Sequence, residues 1–554
     1  MPANQILTVT YIFENPPAEG RGLRARSTWQ RKAMDEFTIS AGSLCLLSLV
    51  VGFIIQSVYR LFFHPLRKFP GPKLGAISHL YEFYYDVIYN GSYLFKIEQL
   101  HQKYGPVVRI NPRELHINDP YYYEQIYAGS SRIREKDPRF IGVFTTPLPM
   151  VATVGHEHHR IRRGLLSSYF SRRALKKAEL IIDQKVDRLL VRFHSAFKCH
   201  AVLPLQRVFA ALAADIVSEY CYGASQGYLE QKVFQNQMID AVNYVMSMCH
   251  INKSIPIIPK LLRCVPVGLM EKLGLQMADV IGVRNLIRRQ AAKSLDKEWL
   301  SHDTNMLSKN VFDAIAAADV APQEKTLRRL EEEGAALFGA GIETTARALT
   351  VAMFHLISDE TMIRKLRDEL KQVMLSPASR PTWAELEQLP YLTGVVNESL
   401  RLSFGLVARS PRVSPIESLA YGEYVIPPGT PVSQSAYFVH MNPQVFPEPE
   451  SFNPERWIKA AEKGQYLSRF LVAFSKGSRQ CLGMNLAYAE LYLTLARIVR
   501  LVDMKLVGTT IDNIRVGRDL GHPAPKAGNF KVKVEVMGII ETSDGIEVWT
   551  HAHD

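Results

Sequence analysis

The chain has 554 residues, 47% of them hydrophobic and 22% charged, a balance that excludes a disordered protein and allows a large core. Its six cysteines are scattered and form no CxxC pair, which argues against zinc ribbons and a disulfide framework and fits a reducing, cytosol-facing setting. The net charge of +12 comes with no nucleic-acid motif, so it suits an anionic membrane surface or an acidic protein partner.

Length alone suggests about three or four domains. No Gly/Ser-rich linker, repeat or low-complexity tract divides the chain, and one large domain is the better reading. Residues 1–36 form a polar, irregular N-terminal extension with a basic run from Arg21 to Lys32. Residues 37–59 then run for 23 positions without a charge. That is about 34 Å of helix against about 30 Å of hydrocarbon, and it reads as a membrane anchor. A cleaved signal peptide would be shorter and nearer residue 1. Basic residues flank the span on both sides, so the positive-inside rule does not orient it. A start at Met34 would make the leading flank acidic (Asp35, Glu36) and the trailing flank basic (Arg60, Arg67, Lys68), with the following domain in the cytosol.

Residues 60–73 contain Pro65, Pro70 and Pro72 around Gly71. Each proline fixes φ and removes a donor, which predicts a stiff, non-helical neck before a domain spanning 74–554. Residues 106–117 show two short β-branched runs about Asn111-Pro112, a hairpin pattern. Residues 132–155 are rich in proline and aromatics and read as a long loop. His156-Glu157-His158-His159-Arg160 invites a metal reading, but a zinc-protease helix needs His-Glu-x-x-His and position 160 is Arg. A basic helix face of Arg160, Arg162 and Arg163 remains. Residues 174–290 are mostly helical in pattern, and the unusually apolar 242–266 reads as core.

Residues 323–358 predict one long helix whose centre is Gly339-Ala340-Gly341-Ile342-Glu343-Thr344-Thr345. Mid-helix glycines cost about 1 kcal/mol each relative to alanine, and missing side chains leave room for a flat ligand. A threonine hydroxyl can bond back to an earlier carbonyl and open a groove. Glu343 and Thr344 place an acid and a hydroxyl beside that gap, a pair able to pass protons. A glycine-faced helix crossing is the plainer alternative. Glu398 and Arg401 share a helix face over 389–402, and alone they read as a surface ion pair. Arg456 follows in the rigid Asn453-Pro454-Glu455-Arg456-Trp457 turn. Arg409 and Arg412 lie between, before a hairpin pattern at 420–431, and residues 440–457 are irregular.

The most informative stretch is Phe474-Ser475-Lys476-Gly477-Ser478-Arg479-Gln480-Cys481-Leu482-Gly483, followed at once by an apolar helical run over 484–501. A thiol at a helix N-terminus is favoured as thiolate, the metal-binding form. Gly477 and Gly483 permit close backbone approach or φ > 0, and Arg479 offers a fork for a carboxylate. One thiolate, one anion-binding arginine and close-packing glycines suit a flat cofactor with both a metal and carboxylates, which is haem. Phe474-x-x-Gly477-x-Arg479-x-Cys481-x-Gly483 resembles the haem-binding signature of the cytochrome P-450 monooxygenases at all five diagnostic positions.

The resemblance implies a mainly α fold with small β-sheets and an N-terminal transmembrane helix, with haem b held by Cys481 as axial ligand. Ala340-Gly341-x-Glu343-Thr344 matches the family's oxygen-handling motif, and Thr344 with Glu343 becomes the proton-delivering pair. Glu398, Arg401 and Arg456 match a Glu-Arg-Arg network that fixes the cysteine loop. Where the family carries Trp-x-x-x-Arg against the haem propionates, the match is Arg160, with a departure at His156. Arg412 matches the strand arginine at a propionate, with Arg409 as runner-up. Residues 132–155 would wall the pocket, and 242–266 would be core or a lid that dips into the membrane. His64-Pro65-Leu66 and the prolines after it are similar to the hinge of microsomal, fungal-type members. The implied activity is monooxygenation of an apolar small molecule, such as a terpenoid, polyketide or alkaloid intermediate. It would take place at the endoplasmic reticulum membrane, with the catalytic domain in the cytosol. No flavin or nicotinamide fingerprint is present, so electrons would come from an NADPH-dependent cytochrome P-450 reductase, with cytochrome b5 as a second donor. Lys476 and the positive charge suit an acidic partner. A haem-thiolate isomerase or dehydratase without a reductase, and a non-catalytic haem sensor or carrier, are the rival readings. After 501 the pattern turns β-like through 530–536.

Overall fold

The computed structural model describes residues 42–551 apart from 145, 232–233, 235–239, 241–243, 245, 263–264, 266–277, 297–309, 527, 529 and 544–545. The extension over 1–36 and the start at Met34 lie outside them. The chain divides into two compact units, residues 1–64 and 65–554.

In the first unit, α1 (Gly42–Phe63) is an apolar helix with mean hydropathy 1.9 and no buried residue in its most apolar window. It is long and apolar enough to cross a membrane. It runs four residues beyond the expected end at Tyr59, because its last turn widens into a π-helix over Tyr59–Phe63. His64 stops it with ψ of 144°, as expected of a residue that precedes proline.

The second unit begins with structure rather than a bare neck. Pro65–Lys68 is a 3-10 turn and Lys73–Ile77 a short helix. The expectation of a non-helical neck fails there because proline is well tolerated in a first helical turn. Leu66 and Phe69 are buried, and the Arg109 N–H donates to the Pro70 carbonyl at 2.7 Å, so the neck is part of the fold.

The core is helical. It is built by α2 (His156–Ser167), α3 (Lys176–Lys198), α4 (Leu205–Tyr222), α5 (Leu327–Ser358), α6 (Pro390–Ser403) and α7 (Met484–Leu501). α5 starts where the Thr326 hydroxyl accepts from the Arg329 N–H at 3.3 Å. Its 32 residues span about 48 Å, and it packs on α4, α6 and α7. α4 is buried along nearly its whole length and ends at Gly223, whose φ of 74° is left-handed. The small sheets flank this core. β1 (Val107–Arg109), β2 (Leu115–Ile117), β3 (Glu135–Lys136), β5 (Arg412–Val413) and β8 (Pro431–Ser433) form a five-stranded sheet in the order β1-β2-β8-β5-β3. The expected hairpin at 106–117 is β1–β2. Another sheet pairs β12 (Lys533–Ser543) with β13 (Ile546–His551), β4 (Leu203–Pro204) and β9 (Val502–Leu506). The β-like pattern through 530–536 leads into the strand pair β12–β13.

Candidate active site

The cysteine loop is shaped by two residues with positive φ, Ser475 at 56° and Gly477 at 73°. A Cβ on Gly477 would lie 2.1 Å from the Ala128 carbonyl oxygen, so only glycine closes this turn. The Ser478 N–H then donates to that oxygen at 3.0 Å, and the Cys481 N–H donates to the Phe474 carbonyl at 2.9 Å. The Phe474 ring packs on Tyr488 of α7. Gly483 behaves otherwise than expected. Its φ is ordinary, at −83°, and a Cβ there would meet nothing within 4 Å. Its backbone N–H bonds the Cys481 sulfur.

Cys481 is accessible, yet protein surrounds it closely enough that burial raises its thiol pKa; the Gly483 N–H and the Arg163 charge pull the other way. An accessible sulfur inside the fold faces internal space. The centre of α5 shows the same feature. Residues 329–334 and 345–354 are buried, whereas Ala336, Leu337, Ala340, Gly341 and Thr344 keep partial exposure. Their spacing is that of one helical stripe. Thr344 donates its hydroxyl to the Ala340 carbonyl at 2.7 Å, as the sequence predicts. Space at the glycines is uneven. Gly339 opens onto nothing within 4 Å, but a Cβ on Gly341 would lie 2.7 Å from Val217 of α4. Gly341 therefore serves helix packing.

A cluster of basic side chains gathers beside the cysteine loop. Arg479 is buried and donates to the carbonyls of Thr153, Val154 and Gly155 at 2.5, 2.7 and 3.0 Å. Its Nε has no partner. Burial lowers its pKa to about 9, and the charges of Arg412 and Arg163 add to that, against a pull from Glu135. Arg412, buried on β5, donates to Ser410 and stacks on Tyr127. Lys136 on β3 is held far below its usual pKa by burial, then by Arg412 and Arg479. Burial, Arg479, Lys136, Arg163 and Arg412 push His159 down to about 2. Arg163 donates to the Gln480 carbonyl at 2.6 Å. None of these five makes an ion pair with a carboxylate among the described residues. Uncompensated buried charge of one sign is costly, and a ligand carrying two carboxylates would relieve it. The accessible thiol, the open space at Gly483 and this basic cluster together fit haem.

The α2 pair expected from the sequence is corrected. Arg160 is exposed and pairs with Glu157 at 2.8 Å. His156 is buried, but its Nδ1 accepts from the Arg134 N–H at 3.4 Å, and it is not among the groups acting on Arg479 or His159. The spacing His-x-x-x-Arg recurs three residues on, at His159 and Arg163, and that pair faces the site. Arg409, the runner-up to Arg412, is instead held by Glu114 at 2.9 Å and by Glu82.

Glu398 of α6 is fully buried and accepts five hydrogen bonds. Arg401 Nε and Nη2 donate at 2.9 and 2.7 Å, Arg456 Nε at 2.9 Å, the Asn453 N–H at 2.9 Å and Trp457 Nε1 at 2.9 Å. These bonds hold its carboxyl below the usual range against burial. Trp457 was missed as a member of this network. So was His440, whose Nδ1 donates to the Arg401 carbonyl at 2.8 Å while its Nε2 accepts from the Val472 N–H at 2.9 Å. That second bond ties the network to the segment entering the cysteine loop.

On its outer side the loop borders a groove of about 410 Å³ lined by Glu124, Tyr127, Gly129, Lys476, Gly477 and Gln480. Lys476 pairs there with Glu124 at 2.9 Å.

Comparison with known proteins agrees with this geometry. The cytochrome P450 family profile matches residues 79–527. A cytochrome P450 monooxygenase, aflU of Aspergillus parasiticus, is 45% identical over 90% of this chain and 98% of its own length. Conidiogenone synthase PchP450 of Penicillium rubens is 44% identical over 89% and 98%, and the monooxygenase TRI4 of Fusarium sporotrichioides 41% over 91% and 98%. Family profile, relatives and the arrangement around Cys481 converge: this chain belongs to the cytochrome P450 family and is a monooxygenase, an oxidoreductase.

Proposed function

We propose that the chain is a membrane-anchored monooxygenase that hydroxylates or epoxidises an apolar small molecule of secondary metabolism. Terpenoid, polyketide and alkaloid intermediates are the expected classes, and one relative is named for conidiogenone synthesis. The overall conversion takes dioxygen, two electrons and two protons; one oxygen enters a C–H or C=C bond and the other leaves as water. The observation that carries this reading is the accessible Cys481 sulfur beside the guanidinium groups of Arg479, Arg412 and Arg163, with no protein carboxylate paired to them among the described residues.

Haem, when bound through Cys481, supplies the reductive activation of dioxygen. The chain's own residues do the rest. Gly483 and Arg163 stabilise the sulfur as an anion. Arg479, Arg412, Lys136, His159 and Arg163 bind the carboxylates. Thr344 holds a proton donor at its Oγ on the accessible stripe, and Glu343 supplies that position with protons. Glu398, Arg401 and Arg456 keep the loop in place. Electrons come from NADPH through a cytochrome P-450 reductase, with cytochrome b5 as a second donor, docking at the groove by Lys476. α1 fixes the protein in the endoplasmic reticulum membrane with the catalytic unit on the cytosolic side.

The reduced protein with carbon monoxide should show the long-wavelength Soret band of a thiolate-ligated haem, and Cys481→Ala should lose it. Folded, haem-loaded protein without that band overturns the reading. Membranes holding the chain and a reductase should then consume NADPH faster when the right substrate is added. An isomerase or dehydratase would turn over without reductant, and a sensor would show no turnover.

A further inference from the structure

Glu343 and its neighbour Thr344 point to different surroundings. Thr344 stands on the accessible stripe, whereas Glu343, about 100° around the helix, is buried. Its Oε1 accepts from Gln206 Nε2 at 2.6 Å, and its Oε2 has no protein partner. Unpartnered buried carboxyl oxygens are rare and need a reason. Gln206 is the second residue of α4 and is itself half-buried. It sits where β4 pairs with the start of β12. One turn along α5, Arg347 is buried and anchored by the carbonyls of Ile514 at 2.9 Å and Pro523 at 3.2 Å and by the face of Phe530 at 4.4 Å.

We propose that Gln206 is a positioning residue for proton supply. It holds the carboxyl of Glu343 between the partly open N-terminal end of α4, where protons enter, and Thr344 on the accessible stripe, where they are used. The fixed charge of Arg347 sets the readiness of Glu343 to give its proton up. The proposal rests on the reading of Glu343 and Thr344 as the proton-handling pair. The step moves protons only. Water protonates Oε2, and the same carboxyl releases a proton toward Thr344; no electron moves and no bond other than O–H changes.

The charged surroundings are few. From α5 the group is Arg347. From the α4 side Arg207 lies next to Gln206, tied to Asp240 at 2.7 Å. From the short strand His522–Ala524, His522 is held neutral, pushed down to about 4 by burial and Arg347. Burial raises the Glu343 carboxyl to about 7, while Arg347 and the Gln206 amide pull it down. The carboxyl is therefore charged with a proton below neutrality and discharged above it, and removing either pull moves that change to higher pH.

The test uses the full chain with haem and a reductase in membranes, with no added substrate. The carboxylic-acid C=O stretch of Glu343 is assigned in the infrared by its loss in Glu343→Gln. In Gln206→Leu its titration midpoint should rise by about one pH unit, and Arg347→Met should move it the same way. The share of NADPH electrons recovered as peroxide should rise several-fold in Gln206→Leu. An unchanged midpoint and unchanged peroxide share, in a Gln206→Leu protein with normal haem content, overturn the proposal. If Glu343→Gln itself leaves the peroxide share unchanged, the pair reading falls first. Should Gln206→Leu fail to accumulate with haem, Gln206→Asn keeps the amide but shortens its reach, and the same shifts are expected. A merely structural Gln206 would lower haem content or thermal stability without moving the midpoint.

Discussion

His159 and Arg163 carry the most discriminating residue-scale prediction. Both turn toward the cations beside Cys481, while Arg160 lies on the solvent face in an exposed pair with Glu157. Exposed pairs of that kind contribute about 0–1 kcal/mol, so Arg160→Ala should leave haem content and stability essentially unchanged. Arg163→Ala removes a bond to the Gln480 carbonyl and a charge acting on the Cys481 sulfur, and should lower the haem-to-protein ratio several-fold on washing. Purified haem content read by absorbance checks both. The sequence offered two registers for one spacing. A motif match cannot choose between them, but the amphipathic phase can: Leu166 is buried and stands two turns beyond 159 and one turn beyond 163. Lys136 left no such signal, since its strand is two residues long inside an irregular loop. Thr344→Ala is the other residue-scale test. It should keep the Soret band and raise peroxide release, and unchanged release would remove Thr344 from the proton path.

Elements are joined here by carboxylates, and that makes them sensitive to acid and to truncation. Glu324, just before α5, accepts from Arg162 Nε and Nη2 at 2.8 and 3.0 Å, from His158 at 2.7 Å and from Arg329 at 3.3 Å, fastening α2 to the start of α5. Although burial opposes it, these partners pull the carboxyl down to about 2. A folded value below the unfolded one means that the stabilisation is present above the ordinary carboxylate range and is lost as pH falls toward 2. Its size is about 2–3 kcal/mol. Glu324→Gln should therefore lower the denaturant midpoint at pH 7 and flatten its decline between about pH 5 and 3. The Glu398 network acts likewise on α6, joining it to Asn453, Arg456 and Trp457, and His440 extends it to Val472 just before the cysteine loop. Glu398→Ala strands two buried arginines, a change that costs about 3–5 kcal/mol, and should yield protein without haem; full haem content would defeat the assignment. The long helices and the glutamate–arginine spacing were legible because buried faces repeat every three or four residues. His440 and Trp457 were not, because their partners, the Arg401 carbonyl and Val472 N–H for His440 and the Glu398 carboxylate for Trp457, are brought to them only by folding.

At the scale of the whole molecule, the proposed anchoring through α1 raises the question of what else in the chain would meet a membrane. The unit from Pro65 onward has its own core, with Leu66 and Phe69 packed into it, so deleting residues 1–64 should leave a folded, haem-binding protein. That unit also exposes large apolar side chains: Leu74 at 69%, Leu80 at 69% and Ile88 at 62%, and Ile257 and Leu261 at 54% and 59%. The two segments bearing them are held together, since Lys253 pairs with Glu82 and Asp86 at 2.7 Å each. Exposed large apolar side chains on segments joined in this way mark a contact with lipid or protein. The truncated protein should therefore float with neutral vesicles and come off in detergent but not in salt. Leu80→Ser combined with Ile257→Ser should shift most of it to the soluble fraction with its Soret band intact. Release by salt alone would assign the residual binding to the positive charge of the chain instead.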